Sequence, residues 1–384
     1  MIKRYILLSE LLFWIAYIPY LAILLVELSL YKEIILVNSI VKVIRYCCYL
    51  ILISKFLLDA VYERKYILYT VWIGVLLGLS AIGAGDKQMF CLLLFFCASY
   101  NIDFEKIIKV SLVVHISVMC MVFGGCFFQI LDNRIYEEGS RIRYSLGYGY
   151  TTTSANLFMH IILMWICIRK DKLKFAEIFF LIITNFILFR LTDTKAAFAF
   201  GMLAIFATLL FKIKLCRKCY LKLGVLFKLI IPGSVMLTGM ASILYNEKSL
   251  LWNMLNEKVN GRIKLAHDAF VQYGYNLFGN QIKWVGSSKY ETGLNALKEY
   301  NYVDSAYVQV ALQFGVVFLI LVCTYYWIVL SKSIKNKNFY LSMSIVIILL
   351  HSIMDPQLVM LSFHPFMLGL GYICYKDSNF KISV

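Results

Sequence analysis

The sequence predicts an all-α, polytopic membrane protein with a single membrane domain, and three observations carry that prediction. Hydrophobic residues make up 61% of the 384 and only 16% are charged, an apolar excess that ordinary soluble domains do not reach. Apolar segments follow one another along the whole chain, several long enough to cross a bilayer, which takes roughly 20 residues of helix. Only one long polar interval, residues 246–303, interrupts them. A membrane protein that keeps one large hydrophilic loop usually keeps it for work at that surface.

About twelve segments read as transmembrane helices, centred on 7–30, 35–58, 66–84, 87–100, 107–131, 155–169, 174–191, 196–213, 223–245, 304–330, 339–355 and 358–375. The first follows a Met-Ile-Lys-Arg start and reads as a membrane helix, because many further segments follow and no clear cleavage site appears. The second carries Lys42, Arg45 and Lys55, and the fourth is short. Basic residues support the alternation. Lys3/Arg4, Arg64/Lys65, Lys106/Lys109, the 169–174 and 212–222 clusters, Lys332/Lys335/Lys337 and Lys376/Lys381 all fall on one side, which the positive-inside rule makes the cytoplasm. Both termini are then cytoplasmic and the 246–303 loop lies outside.

The net charge of +16 would suggest nucleic acid in a soluble protein. Here the basic residues are scattered among apolar segments, where they fix topology and meet anionic membrane lipid, so no nucleic-acid partner is expected. Most of the 11 cysteines sit in apolar segments and act as small hydrophobes. Cys216 and Cys219 form a lone Cys-x-x-Cys, and a zinc site needs a second pair. No Asp-x-Asp or paired histidine motif occurs on the outer side, so neither a metal nor another cofactor is expected.

Three polar pieces face outward in this topology: 131–154, the corner 190–195, and the loop. Within the loop, 261–273 (GRIKLAHDAFVQY) predicts a helix, with Ile263, Ala266 and Phe270 on one face and Lys264, Asp268 and Gln272 on the other. LNALKEY, 294–300, reads as helical too. Outward cations run against the topology rule and are candidate anion ligands. Arg141 and Arg143, two apart in an extended stretch, point to the same side and can grip one phosphate with planar forks; the alternative is pairing with Glu137 and Glu138. Lys195 falls in the first turn of a helix after Thr192, Asp193 and Thr194, a position suited to phosphate; the alternative is snorkelling to the interface. Arg262 opens the loop helix and is the third candidate.

Among the acids, Asp304 closes the loop at the membrane boundary, where desolvation raises a carboxyl towards a useful base; a helix N-cap fits the same position. His267 is the alternative base. Asp268 pairs with Lys264 at helical spacing. His115, His160, His351 and His364 lie in or near apolar segments with no obvious acidic partner, which argues against a proton-coupled transporter.

Three stretches carry a resemblance. RYSLGYGYTTTSANLF, with Asn156 before a helix, the corner LTDTKAAF, and NGRIKLAHDAFVQYGYNLFG followed by VDSAYVQVALQFG resemble the outer motifs of the Wzy-type oligosaccharide repeat-unit polymerases, relatives of the O-antigen ligases. Arg262, Asp304, Tyr307 and Gly315 fall on motif positions. Lys195 stands where the family has arginine, and Ser305 where it has asparagine. The resemblance implies an enzyme of the bacterial plasma membrane that transfers a glycan from an undecaprenyl-pyrophosphate carrier to a second lipid-linked repeat unit. A flippase and a chain-length regulator are the partners it suggests. In that chemistry Arg141, Arg143, Lys195 and Arg262 clamp the pyrophosphate, whose charge grows in the transition state. Asp304, or His267, takes the acceptor proton in a single inverting displacement. Asn156, Tyr307 and Trp284 contact substrate. A flippase or exporter of lipid-linked glycans, or a ligase to another acceptor, is the rival reading.

Overall fold

The computed structural model describes residues 2–62, 64–138, 141–286 and 300–374. Among them the protein is helical, with one two-stranded hairpin: α1 Ile2–Leu28, α2 Ile35–Tyr62, α3 Arg64–Ala84, α4 Lys87–Ala98, α5 Phe104–Phe127, β1 Ile135–Glu138, β2 Arg141–Tyr144, α6 Thr151–Arg169, α7 Phe175–Thr192, α8 Lys195–Leu210, α9 Lys214–Lys222, α10 Gly224–Leu244, α11 Leu250–Lys258, α12 Arg262–Tyr273, α13 Ala306–Gln313, α14 Val316–Lys335, α15 Phe339–His351 and α16 Leu370–Cys374. The loop helix expected at 261–273 is α12; the one expected at 294–300 falls largely outside the described residues.

Six of these helices, α1, α5, α6, α7, α10 and α14, are long and apolar enough to cross a membrane, or up to seven if α8 and α9, bent by 115° at their junction, count as one. That is the make-up of a multi-pass membrane protein, but among the described residues length and composition do not give the count of twelve. The reasons are local. Helix α2 carries Lys42, Arg45, Lys55 and Asp59, while α4 and α15 are 12 and 13 residues long.

The segment expected at 304–330 is two helices. They break at Gly315, whose φ of +91° is open to glycine and where a Cβ would lie 2.3 Å from the Leu277 carbonyl. The loop stretch 276–280 fills the break. Val316 N donates to Asn276 O (3.0 Å), Val317 N to Leu277 O (3.2 Å), and Asn280 Nδ2 to Leu312 O (2.8 Å), so helix-end groups that the break would orphan find partners.

The last expected helix, 358–375, is helical only at α16. Residues 352–369 run irregularly apart from one 3₁₀ turn, and most are buried. Irregular backbone inside an apolar protein needs partners for its carbonyls. Tyr326 Oη donates to Leu358 O (2.8 Å), Tyr325 Oη to Phe366 O (2.6 Å), and His115 Nε2 lies 3.1 Å from Ser362 O. Helix α6 is the hub: it is buried along most of its length, and it packs on α5, α7, α8 and α15.

Candidate functional site

The loop helix delivers Arg262. Asn260 and Gly261 take left-handed φ values of 55° and 79°, turning the chain sharply after α11 so that Arg262 opens α12. Ala266 and Ala269 then seat α12 on Ile282, Val303 and, from α13, Val308 and Leu312. On the other side, Ala306 N donates to Ser352 O (2.9 Å), which ties the start of α13 to the end of α15. Between these two anchors Arg262 Nε meets Asp304 Oδ2 at 2.8 Å.

Asp304 is not a helix cap. Ser305 holds that position, without a side-chain cap bond. Burial lifts the Asp304 carboxyl from the usual 3.8 to about 6; Arg262 opposes the rise and the nearby Asp355 carboxylate adds to it. A carboxyl tuned there accepts a proton near neutral pH while remaining largely ionised.

Asp355 is a site residue that the sequence reading missed, and it supplies the acidic partner His351 lacked. The signal was the four-residue spacing in HSIMD. His351 Nε2 lies 3.4 Å from Asp355 Oδ2. Asn156 Nδ2 from α6 and Gln357 Nε2 both donate to Asp355 Oδ1, each at 3.3 Å. The surroundings are buried, yet Asn156 Oδ1, Gln357 Oε1, Ser305 Oγ and His160 Nε2 have no hydrogen-bond partner in the protein. Buried polar atoms are normally paired, so this cluster holds unused hydrogen-bonding capacity. The His160 ring stands 4.9 Å from that of His364 and 5.9 Å from that of His351.

A second ion pair forms at the α7–α8 corner. Strand β2 aims Arg141 and Arg143 the same way, as their spacing requires, but at the protein rather than at a free anion. Arg141 is bonded to the Asp193 carboxylate, and Arg143 Nε donates to Thr192 O (2.9 Å). Asp193 caps α7 with a left-handed φ of 46°, and Lys195 opens α8, exposed.

Near the Arg262–Asp304 pair, though lined by neither of its side chains, opens a cleft of about 650 Å³, within the range of ligand pockets. Tyr302 lines it two residues from Asp304, and Pro356 lines it next to Asp355. Trp284 forms part of its wall, held by an Nε1 bond to Gln313 Oε1 (2.7 Å) and an edge contact with Tyr302 at 6.2 Å. The wall owes its position to Gly279 (φ +91°), where a Cβ would fall 2.1 Å from the Gln313 carbonyl.

The structure therefore brings together Arg262 and Asp304, bonds Asn156 to the neighbouring Asp355, sets Trp284 in the wall of the cleft, and leaves other expected residues apart. His267 faces α10, with Nδ1 2.8 Å from Ser242 O and its ring tilted on Tyr245. Tyr307 is sealed in the core, donating to Leu349 O at 2.8 Å. Lys264 pairs with Glu247 rather than with Asp268. Among the described residues no group of three or more His, Cys, Asp or Glu side chains is placed to hold a metal. Compared with protein-family models, with characterised proteins and with solved structures, the chain finds no match.

Proposed function

We propose that this protein is a multi-pass membrane glycosyltransferase that polymerises undecaprenyl-pyrophosphate-linked oligosaccharide repeat units at the outer face of the bacterial plasma membrane, with both termini cytoplasmic. The observation that carries the reading is the Arg262–Asp304 pair at 2.8 Å, with a carboxyl raised to about 6, two residues along the chain from Tyr302 in the wall of the cleft. Asp304 takes the proton from the acceptor hydroxyl as that oxygen attacks the anomeric carbon. The pyrophosphate leaves from the opposite face with both electrons of the broken C–O bond, so the anomeric centre inverts. Arg262 engages Asp304 through Nε, and its Nη groups are suited to the leaving phosphate. Lys195, exposed at the start of α8, is a second candidate cation.

The lipid half of such a substrate also has a suitable surface. A groove of about 220 Å³, lined almost wholly by apolar side chains of α3, α4, α14 and the 367–373 stretch, adjoins the cleft, and Leu92 lines both. A ligand with a polar head and a long apolar tail fits that pairing.

Purified protein supplied with its lipid-linked repeat unit, without nucleotide sugar or ATP, tests the proposal. A product ladder spaced by one repeat supports it. No ladder, from folded protein with authentic substrate, overturns polymerisation; transfer of the glycan to a different acceptor then identifies a ligase, and movement across vesicles without bond formation a flippase.

A further inference from the structure

We infer that the 650 Å³ cleft takes an uncharged oligosaccharide and rejects acidic ones, an inference that rests on the glycan reading above and names the sugar class. The cleft does not share the protein's positive excess. The chain carries +16 overall, yet the charged residues lining the cleft are Glu27, Asp86 and Lys32, two carboxylates against one ammonium. Among the described residues no arginine lines it, so the planar fork that recognises uronate, sialate or phosphate is missing. Glu27 is ion-paired with Arg45, so Asp86 and Lys32 balance and the lining carries no net positive charge. Asp86 accepts from Gln313 Nε2 (3.4 Å), the same amide whose oxygen holds Trp284.

The remaining polar lining consists of amides and phenols. Asn38, Gln309 and Gln313 carry amides and Tyr20 and Tyr302 hydroxyls; Gln309 and Gln313 also bond within the protein, to Val303 O, Trp284 and Asp86. Groups that both donate and accept match sugar hydroxyls and acetamides, and the Trp284 face offers an apolar platform for a pyranose ring. The opposite wall is aliphatic, through Leu24, Val41, Val359 and Leu361, and gives an anion no partner. The cations sit elsewhere: Arg262 at Asp304, Arg141 and Arg143 at the α7–α8 corner. Charge is thus divided between two neighbouring places, phosphate outside the cleft and neutral sugar within it.

A glycan array probes this directly, using the full chain in labelled nanodiscs against neutral oligosaccharides (hexose, deoxyhexose and N-acetylhexosamine) and acidic ones (uronate, sialate and phosphorylated). The expected signal is confined to neutral glycans. It falls at least about tenfold in Trp284→Ala, as truncation of an aromatic anchor does, and Asp86→Lys admits acidic glycans. Size-exclusion elution matching the wild type confirms that each variant is folded. Stronger binding of acidic glycans, as the protein's net charge alone would produce, overturns the inference while leaving the polymerase reading to the ladder assay. A signal unchanged by Trp284→Ala, or none above empty nanodiscs, shows that the cleft is not the sugar site even where a ladder forms.

Discussion

Two polar clusters lie inside this apolar protein, and they are built on opposite terms. Lys55 and Asp59 are buried to 0% and 1% side-chain exposure, but the cluster is closed. Lys55 Nζ donates to Asp59 Oδ2 (2.5 Å) and Asn101 Oδ1 (2.9 Å), and Asp59 Oδ1 receives Ser9 Oγ (2.7 Å). Around Asp304 and Asp355 the opposite holds: Asn156, Gln357, Ser305 and His160 each leave a buried atom without a partner. A satisfied network specifies packing; an unsatisfied one beside a cleft is where a ligand completes the bonding. The first cluster belongs to stability; the second is the one to which the proposed function assigns chemistry.

That division can be broken from either side. The largest expected effect is on turnover: Asp304→Asn should slow ladder formation by about 10²–10⁴-fold, the usual share of a general base. Its thermal midpoint at pH 7.5 should not fall. A carboxyl whose folded pKa lies above its unfolded value costs stability in full above about pH 6, a cost relieved as pH falls towards 4, so removing the charge does not destabilise. Lys55→Met should do the reverse. It strands a buried Asp59 and costs about 3–5 kcal/mol of stability, read as lost thermal midpoint, while surviving folded protein keeps the wild-type pH profile. Asp355→Asn should have a smaller effect with a definite sign. It removes a negative neighbour that raises Asp304, so the acidic limb of the rate profile moves to lower pH. The smallest effect is expected of Ser305→Ala, whose hydroxyl bonds to nothing in the protein; unfolding should shift by under about 1 kcal/mol.

Much of this was legible in the sequence, for reasons that can be named. Asn260-Gly261 before an amphipathic run marks the start of α12 and therefore Arg262. Two arginines at strand spacing had to point together, and they do. What could not be read was their target, because the Asp193 carboxylate arrives from a corner some fifty residues away. Hydropathy also hid the break at Gly315, since residues on both sides are apolar and the cause is a distant loop carbonyl. The irregular 352–369 run is apolar enough to pass for a helix, and only the tyrosines and histidine that bind its carbonyls show otherwise. Asp355 was missed for the same reason: its partners His351, Asn156 and Gln357 lie on an adjoining helix, a distant helix and an irregular segment.

The most direct test of the central claim is the pH dependence of ladder formation in the wild type and in Asp304→Asn, with one lipid-linked substrate. The account predicts a wild-type rate that rises through an acidic limb near pH 6, and a variant rate that is at least about 100-fold lower and lacks that limb. Equal rates with the same limb in both proteins would contradict it and remove Asp304 from the chemistry.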